Sequence, residues 1–153
     1  MQIRRATKED TDALAQIFYK SVREGPSLYT QAQRVAWMPA VPQHARFATR
    51  LAPMWVYVAA ENGRVFGFMG TEPSGYIDLA FILPQYRGKG AFRLLFEATR
   101  TQAIACALGR LWTHASLTAQ PAFKAMGFSV IQHETVERTG EMLQRAEMET
   151  YLS

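Results

Sequence analysis

The chain is poor in cysteine, in histidine and in long apolar runs, and each shortage removes a class of protein. One cysteine, Cys106, occurs in 153 residues. That excludes an intramolecular disulfide framework and any multi-cysteine metal site, and it fits a reducing compartment. No metal is expected. No stretch approaches the ~20 apolar residues of a membrane-spanning helix. Met1-Gln2-Ile3-Arg4-Arg5 runs straight into polar residues, without the apolar segment and cleavage site of a secretory signal. A cytoplasmic location without a membrane partner is the expectation. Low-complexity tracts, Ser/Gly linkers and internal repeats are also missing, so residues 1–153 are read as a single domain.

What is present is ordinary globular material. Composition is 48% hydrophobic and 20% charged, which argues against disorder. A chain this long buries roughly 70% of its unfolded surface. The charge is uneven. Residues 1–130 carry 15 basic and 8 acidic side chains, a surplus of 7, whereas residues 131–153 carry 2 and 5, a deficit of 3. A basic body favours an anionic partner: nucleic acid, an acidic membrane or a phosphate-rich small molecule.

The hydrophobic period predicts the element order. Ile3–Ala6 alternates as an edge strand does. Thr7 to Asp10 supplies capping residues for a helix carrying Ala13, Leu14, Ile17, Phe18 and Val22, stopped by Gly25-Pro26. Gln31–Trp37 and His44–Leu51 read as two further helices. Trp55–Ala60 and Val65–Gly70 are strands joined by a hairpin turn at Asn62-Gly63. Tyr76–Leu83 is a third strand, apolar except for Asp78, and is expected to be central and covered on both faces. After the Gln85–Gly90 loop comes a helix over Ala91–Leu108, with Leu94, Leu95, Ala98, Ala105 and Leu108 on its apolar face and Gly109 as its C-terminal cap. Cys106 is expected to be a buried, inert thiol beside Ala105 and Ala107. Leu111–Ser116 is a strand and Ala119–Met126 a short helix closed by Gly127. Phe128–Val136 and Met142–Leu152 are read as a pair of edge strands. The fold class is α/β (α+β): a mixed, mostly antiparallel sheet flanked by helices.

A strand, a glycine-containing loop and a helix N-terminus make an anion site, because the first-turn amides lack partners and the helix dipole adds positive charge. Glycine lets a phosphate approach the backbone, and Arg87 and Lys89 add full charges. A solvated basic turn has the same composition, and the loop alone does not choose. It is not a Walker loop, since the Gly-Lys-Ser/Thr ending is absent. It is not a dinucleotide fingerprint either: no acid closes the strand that follows.

Pro84 and the loop Gln85-Tyr86-Arg87-Gly88-Lys89-Gly90, set between a strand and a helix, resemble the acetyl-coenzyme A loop of the GNAT N-acetyltransferase superfamily. The family pattern is R/Q-x-x-G-x-G/A. Set with Arg87 in the first position, it is met by Arg87 and Gly90, and Phe92 stands where the last small residue belongs. A second landmark, N-x-x-A followed by F-Y-x-x-x-G-F, is echoed by Ser116-Leu117-Thr118-Ala119, Ala122-Phe123 and Gly127-Phe128. Ser116 replaces the asparagine and Phe123 the tyrosine. Ile3–Ala6, Ser21-Val22, Tyr29 with Gln33 and Trp37, Ile77-Asp78 and Met148-Glu149 resemble a group of small bacterial members, so the likeness spans nearly the whole chain.

That resemblance implies the GNAT fold and direct transfer of an acetyl group from acetyl-CoA, as co-substrate, to an amine of a small molecule or peptide; a homodimer is compatible with it. The segment Arg87, Gly88, Lys89, Gly90, Ala91 and Phe92 would hold the pyrophosphate. Phe81 and Ile82 would offer backbone groups to the pantetheine arm, and a backbone N–H of the same strand would stabilise the oxyanion. Ser116 and Phe123 would lie against the cofactor. The family's tyrosine usually protonates the leaving thiolate, which Phe123 cannot do. Ser116, another group or water replaces it, or the protein is a weak enzyme. A thiol near pKa ~8.5 does not strictly need an acid. His114, two residues before Ser116 on one strand face, is the first candidate base, and Asp78 is the second. Each has a plain alternative: a half-exposed strand histidine, and a carboxylate paired with an arginine. Ser21, Tyr29, Gln33 and Trp37 are expected to line the acceptor pocket, with ordinary core packing the alternative for Trp37. His133 and the methionines are read as structural.

Two other functional classes remain. A non-catalytic acyl-CoA-binding or regulatory domain is suggested by Phe92 and Phe123. Nucleic-acid binding is suggested only by net charge. The basic residues are scattered rather than interleaved with aromatics, so no nucleic-acid partner is expected.

Overall fold

The computed structural model describes residues 1–152. Seven strands form one sheet: β1 (Gln2–Arg5), β2 (Trp55–Glu61), β3 (Arg64–Thr71), β4 (Tyr76–Ile82), β5 (Arg110–Ser116), β6 (Ser129–Arg138) and β7 (Glu141–Tyr151). Their spatial order is β1-β2-β3-β4-β5-β7-β6. Every neighbouring pair is antiparallel except β4 and β5. Helices α1 (Thr11–Arg23), α2 (Gln31–Trp37), α3 (His44–Leu51), α4 (Ala91–Ala105) and α5 (Gln120–Ala125) cover it.

The sheet divides two cores. On one face α1 and α3 bring Leu14, Phe18 and Phe47 onto Val56, Val58, Phe68 and Leu79. On the other, α4 and the segment after α5 bring Leu95, Phe96 and Phe128 onto Phe66, Met69, Leu111 and Met148. Burying side chains of this size contributes about 1.5–3 kcal/mol each. The α4 face that does this is Ala91, Leu95, Thr99 and Ala103, spaced four apart; of the expected face, Leu95 is buried and Leu108 packs against the same core. Leu94 is 40% exposed.

Several boundaries differ from those read in the sequence. The first helix begins with a 3-10 turn at Lys8–Asp10, where the Asp10 carboxylate accepts the Thr7 amide at 2.7 Å. Helix α4 stops at Ala105, not Leu108. Its cap is not Gly109 but Ala107, held at φ +60°. The Leu108 amide reaches the Ala103 carbonyl at 3.0 Å and the Ala107 amide reaches that of Ile104 at 2.9 Å. This paired closure fixes the left-handed residue by bond count, whatever its identity. The early stop also turns Cys106 outward: its thiol is exposed, not buried. The last two strands are not both edges either. β7 lies between β5 and β6, and only β6 is an edge.

β4 is central and feeds both cores, as expected, but a register shift decides which residue goes where. Its pairing with β3 jumps from Thr71↔Ile77 to Gly70↔Leu79, leaving Asp78 opposite no residue. A bulge inserts an extra residue, bends the strand and shifts its side-chain alternation. Ile77 therefore enters one core and Leu79 the other. Tyr76, Asp78 and Ala80 remain partly open.

Candidate active site

The bend has its largest effect on the parallel seam. β4 and β5 pair only at Tyr76↔Trp112 and Ile77↔Thr113. The Thr113 hydroxyl donates to the Ile77 carbonyl at 2.8 Å, closing the last rung. Beyond it the strands separate. The Leu83 amide donates to the Phe66 carbonyl on the β3 side at 2.9 Å, and direction alternates along a strand. Phe81 therefore presents its backbone to β3, whereas Ala80 and Ile82 present theirs to the gap. Ala80, not Phe81, joins Ile82 on that edge, where the Ile82 carbonyl is already taken by Ser21 and Arg87 and its amide is left free.

The loop after β4 starts as a 3-10 turn at Pro84–Tyr86, with Tyr86 stacked on Phe66 at 4.2 Å. Gly88 and Gly90 then adopt φ +77° and +88°, and nothing lies within 4 Å of where a Cβ would stand on either. Two left-handed residues alternating with Lys89 leave open room in front of the α4 amides, as a phosphate would need. These angles reassign the motif. Begun at Gln85 instead of Arg87, R/Q-x-x-G-x-G/A is met in full by Gln85, Gly88 and Gly90. Phe92 lies outside it, inside the first turn of α4, edge-on to Phe123 at 5.1 Å.

Arg87 lines the cavity beside the loop and also reaches back toward α1. Its guanidinium donates to the carbonyls of Ser21 (3.0 Å), Ile82 (3.2 Å) and Pro26 (3.3 Å). Buried Arg34 does likewise to Val22 (2.6 Å) and Glu24 (2.5 Å). Two arginines thus satisfy the carbonyl-rich end of α1 and the bend after it. Burial, and secondarily the neighbouring Arg34 charge, pull the Arg87 pKa down. Gly25, at φ +75°, brings the same bend against Pro84, where a Cβ would meet the ring at 2.6 Å. Two further cations stand by the loop: Lys89, whose ammonium lies 5.6 Å from the Tyr86 ring centroid, and Arg93, which lines the same cavity as Arg87.

Two cavities meet at the separated strands. The larger, about 460 Å³, runs from the glycine loop to α5 and includes Ser21, Tyr29 and Trp37 in its wall. The smaller, about 110 Å³, opens on the other side beneath α2 and the β6–β7 hairpin, with Asp78, His114, Phe123, Arg138 and Arg145 among its lining residues. Trp37, Ala80, Phe81, Ser116 and Ala119 line both. A molecule reaching along the larger cavity meets one from the smaller at that junction.

Ser116 accepts the Ala119 amide on its Oγ at 3.1 Å, which leaves its own proton to be directed elsewhere. His114 Nδ1 lies 2.9 Å from the Tyr76 hydroxyl, and its Nε2 lies 3.6 Å from Glu134 and 3.9 Å from Glu147. Burial raises the Tyr76 phenol above its ordinary range, with the Asp78 charge a smaller cause. Asp78 is gripped by Arg50 through two bonds of 2.9 and 3.1 Å, the arginine-pairing alternative raised by its sequence context. Tyr29 donates to the Gln144 carbonyl at 2.5 Å and accepts the Leu117 amide at 3.1 Å; burial raises its pKa. It braces the cavity wall. Ser21 donates to the Ile82 carbonyl at 3.2 Å. Gln33 lines neither cavity. It caps α2 through Thr30 and donates to the Met142 carbonyl at 2.9 Å. Trp37 packs edge-on to Tyr29 at 5.8 Å and stands 6.2 Å from Phe81.

Ala80, Gln85, Arg50, Arg138 and Arg145 complete this region and were not among the residues singled out in the sequence. The offset of two residues between Gly88 and Gly90 was the available signal for Gln85. Nothing local marks the arginines, which arrive from α3 and the hairpin.

The model of a family described as the acetyltransferase (GNAT) domain matches residues 28–150. No curated protein sequence matches the chain. Among solved structures, the chain is similar to a GCN5-related N-acetyltransferase from Rhodopseudomonas palustris described as "Aminotransferase, Class-II". The identity is 29% and the TM-score 0.90, over 99% of this chain and 95% of that one. It is also similar to a GNAT superfamily phosphinothricin acetyltransferase from Sinorhizobium meliloti in complex with acetyl-CoA, at 21% identity and TM-score 0.74, over 99% and 88% of the two chains. A ribosomal-protein-alanine N-acetyltransferase from Brucella melitensis shares 20% identity and TM-score 0.72 over 99% and 100%.

Proposed function

Since this chain belongs to the GNAT acetyltransferase family, we propose that it transfers an acetyl group from acetyl-CoA directly to an amine of a small molecule or peptide. The observation that carries the reading is the junction: a β4–β5 seam that opens after Ile77, with a glycine loop behind it and two cavities meeting at Ser116. Acetyl-CoA supplies an acetyl thioester, whose carbonyl carbon the acceptor amine attacks. The Gly88–Phe92 amides and Lys89 hold its pyrophosphate, and the open edge of Ala80 and Ile82 holds the pantetheine arm.

At the junction the Ala80 N–H faces the gap and stabilises the developing oxyanion. His114 takes the proton from the attacking amine, and its contact with Tyr76 fixes the ring. Attack forms the C–N bond and moves the carbonyl electron pair onto oxygen; collapse of this oxyanion then breaks the C–S bond. Ser116 Oγ hands its proton to the departing sulfur and recovers one from solvent. Phe123 can do none of this, which favours the second reading, a non-catalytic acyl-CoA-binding domain.

Calorimetry with acetyl-CoA and a thiol-release assay across an amine panel separate the two. Binding together with amine-dependent thiol release supports the enzyme. Binding without release supports the second reading, and no binding refutes both. In an active enzyme His114→Ala should lower kcat/KM by roughly 10²-fold or more and leave the acetyl-CoA Kd unchanged. An unaltered kcat/KM would move the base to Asp78 or solvent.

A further inference from the structure

Given acetyl transfer at this junction, the smaller cavity receives the acceptor, and its charges constrain what the acceptor carries. Four ionisable side chains line it: Asp78, His114, Arg138 and Arg145. Asp78 is neutralised by Arg50, which takes both of its oxygens. Arg145 is neutralised by Glu134 through its Nε at 2.5 Å. His114 faces Tyr76 on one side and Glu134 and Glu147 on the other.

Arg138 is different. It closes β6 at the hairpin, donates to the Glu137 carbonyl at 2.9 Å and, among the described residues, stands in no ion pair. Its guanidinium is the one lining cation left without a carboxylate. Register places it away from the reacting end. Ser116 pairs with Arg145, while Arg138 pairs with Glu141, four residues or about 13 Å further along β7. The reacting amine belongs near Ser116 and His114, and a negative group belongs beyond it, toward Arg138. The hairpin that carries Arg138 is braced on α2, where Thr139 donates to the Ala36 carbonyl at 3.4 Å and Gln33 to that of Met142. The backbone that carries the exposed Arg138 side chain is therefore held in place.

We propose that the acceptor is an amine bearing a carboxylate, with Arg138 receiving the carboxylate and Arg145 flanking it. The forked guanidinium geometry suits a two-oxygen anion.

The test compares matched pairs: ω-amino acids of increasing chain length, each beside its own carboxamide, in the thiol-release assay with wild type and Arg138→Gln. The expected wild-type preference for the carboxylate is roughly 10- to 100-fold in kcat/KM, the range of a charged hydrogen bond. In Arg138→Gln the ratio within each pair should fall to near one, a readout that general damage to the fold does not produce. Raising NaCl from 50 to 500 mM should also shrink the wild-type ratio. Carboxamides turned over as well as carboxylates by wild type, or a preference that survives Arg138→Gln, would overturn the acceptor assignment and leave acetyl transfer standing. Absence of thiol release with every amine would overturn both.

Discussion

Arg87→Ala tests whether the arginine of the glycine loop fastens the protein or touches the cofactor. In the structure it donates to three backbone carbonyls, on α1, on the bend after it and on β4. A hydrogen bond to a charged group contributes about 1.5–3 kcal/mol. Arg87 is half-buried and Ile82 keeps its bond from Ser21, so about 1 kcal/mol each is the fair value, or about 3 kcal/mol in all. For a chain of this length that lowers Tm by roughly 6–12 °C. Thermal unfolding of the ligand-free protein reads it directly. Titration with acetyl-CoA at two salt concentrations reads the other half: untying the loop should weaken Kd by roughly tenfold, about 1.4 kcal/mol, with the salt dependence retained because no phosphate contact is lost. Arg87→Lys sharpens the contrast, since it keeps the charge and loses the fork. It should be almost as unstable as the alanine variant. A ligand-free Arg87→Ala protein as stable as wild type, with weaker and less salt-sensitive acetyl-CoA binding that Lys restores, would refute the clip and put the side chain on the phosphates.

Phe123, 2% exposed and packed between Phe92 and Phe128 at 5.1 and 5.0 Å, lines the smaller cavity. Phe123→Tyr should destabilise by no more than about 1–3 kcal/mol, the range for a buried hydroxyl lacking a partner, and should raise the thiol-release rate. A slower variant would show that the phenol does not reach the sulfur. Asp10 is held below the usual carboxylate range, first by its hydrogen bond with Arg4 and against the cost of burial. Its folded-state pKa is depressed, so its contribution is present above the unfolded value near ~4 and is lost as pH falls through the lower folded value. Denaturation midpoints of wild type and Asp10→Asn should therefore differ at pH 7, and the gap should shrink steadily as pH falls below the unfolded value of ~4; a constant gap would show that the ion pair is not its source.

Much of this molecule is legible along the chain because its signals are local. The Asn62-Gly63 hairpin, the apolar β4 and the glycine loop before α4 each declare themselves within ten residues. The differences depend on which backbone groups find partners, some of them distant in sequence. Cys106 is exposed because α4 closes on Ala107, a matter of which carbonyls remain free. The carbonyls that Arg87 meets, of Ser21 and Pro26, come from more than sixty residues earlier. The bulge at Asp78 comes from register against β3. No pattern within β4 shows that Ala80 and Ile82, rather than Phe81, present the open backbone. The acceptor side is the least legible part, since β5 supplies four lining residues while α2, α3, β6 and β7 each add only one or two.

The opening after Ile77 has a mechanical meaning as well as a chemical one. Strands β1–β4 and β5–β7 form two blades joined in the sheet by a two-residue hinge. A ligand lying along the free edge of β4 is then a temporary eighth strand. Each bond it makes is one the sheet lacks on its own, so cofactor affinity and resistance to unfolding rise together. Backbone amides on both sides of the gap, Ala80 and Ile82 foremost, should exchange their hydrogens more slowly when the slot is filled.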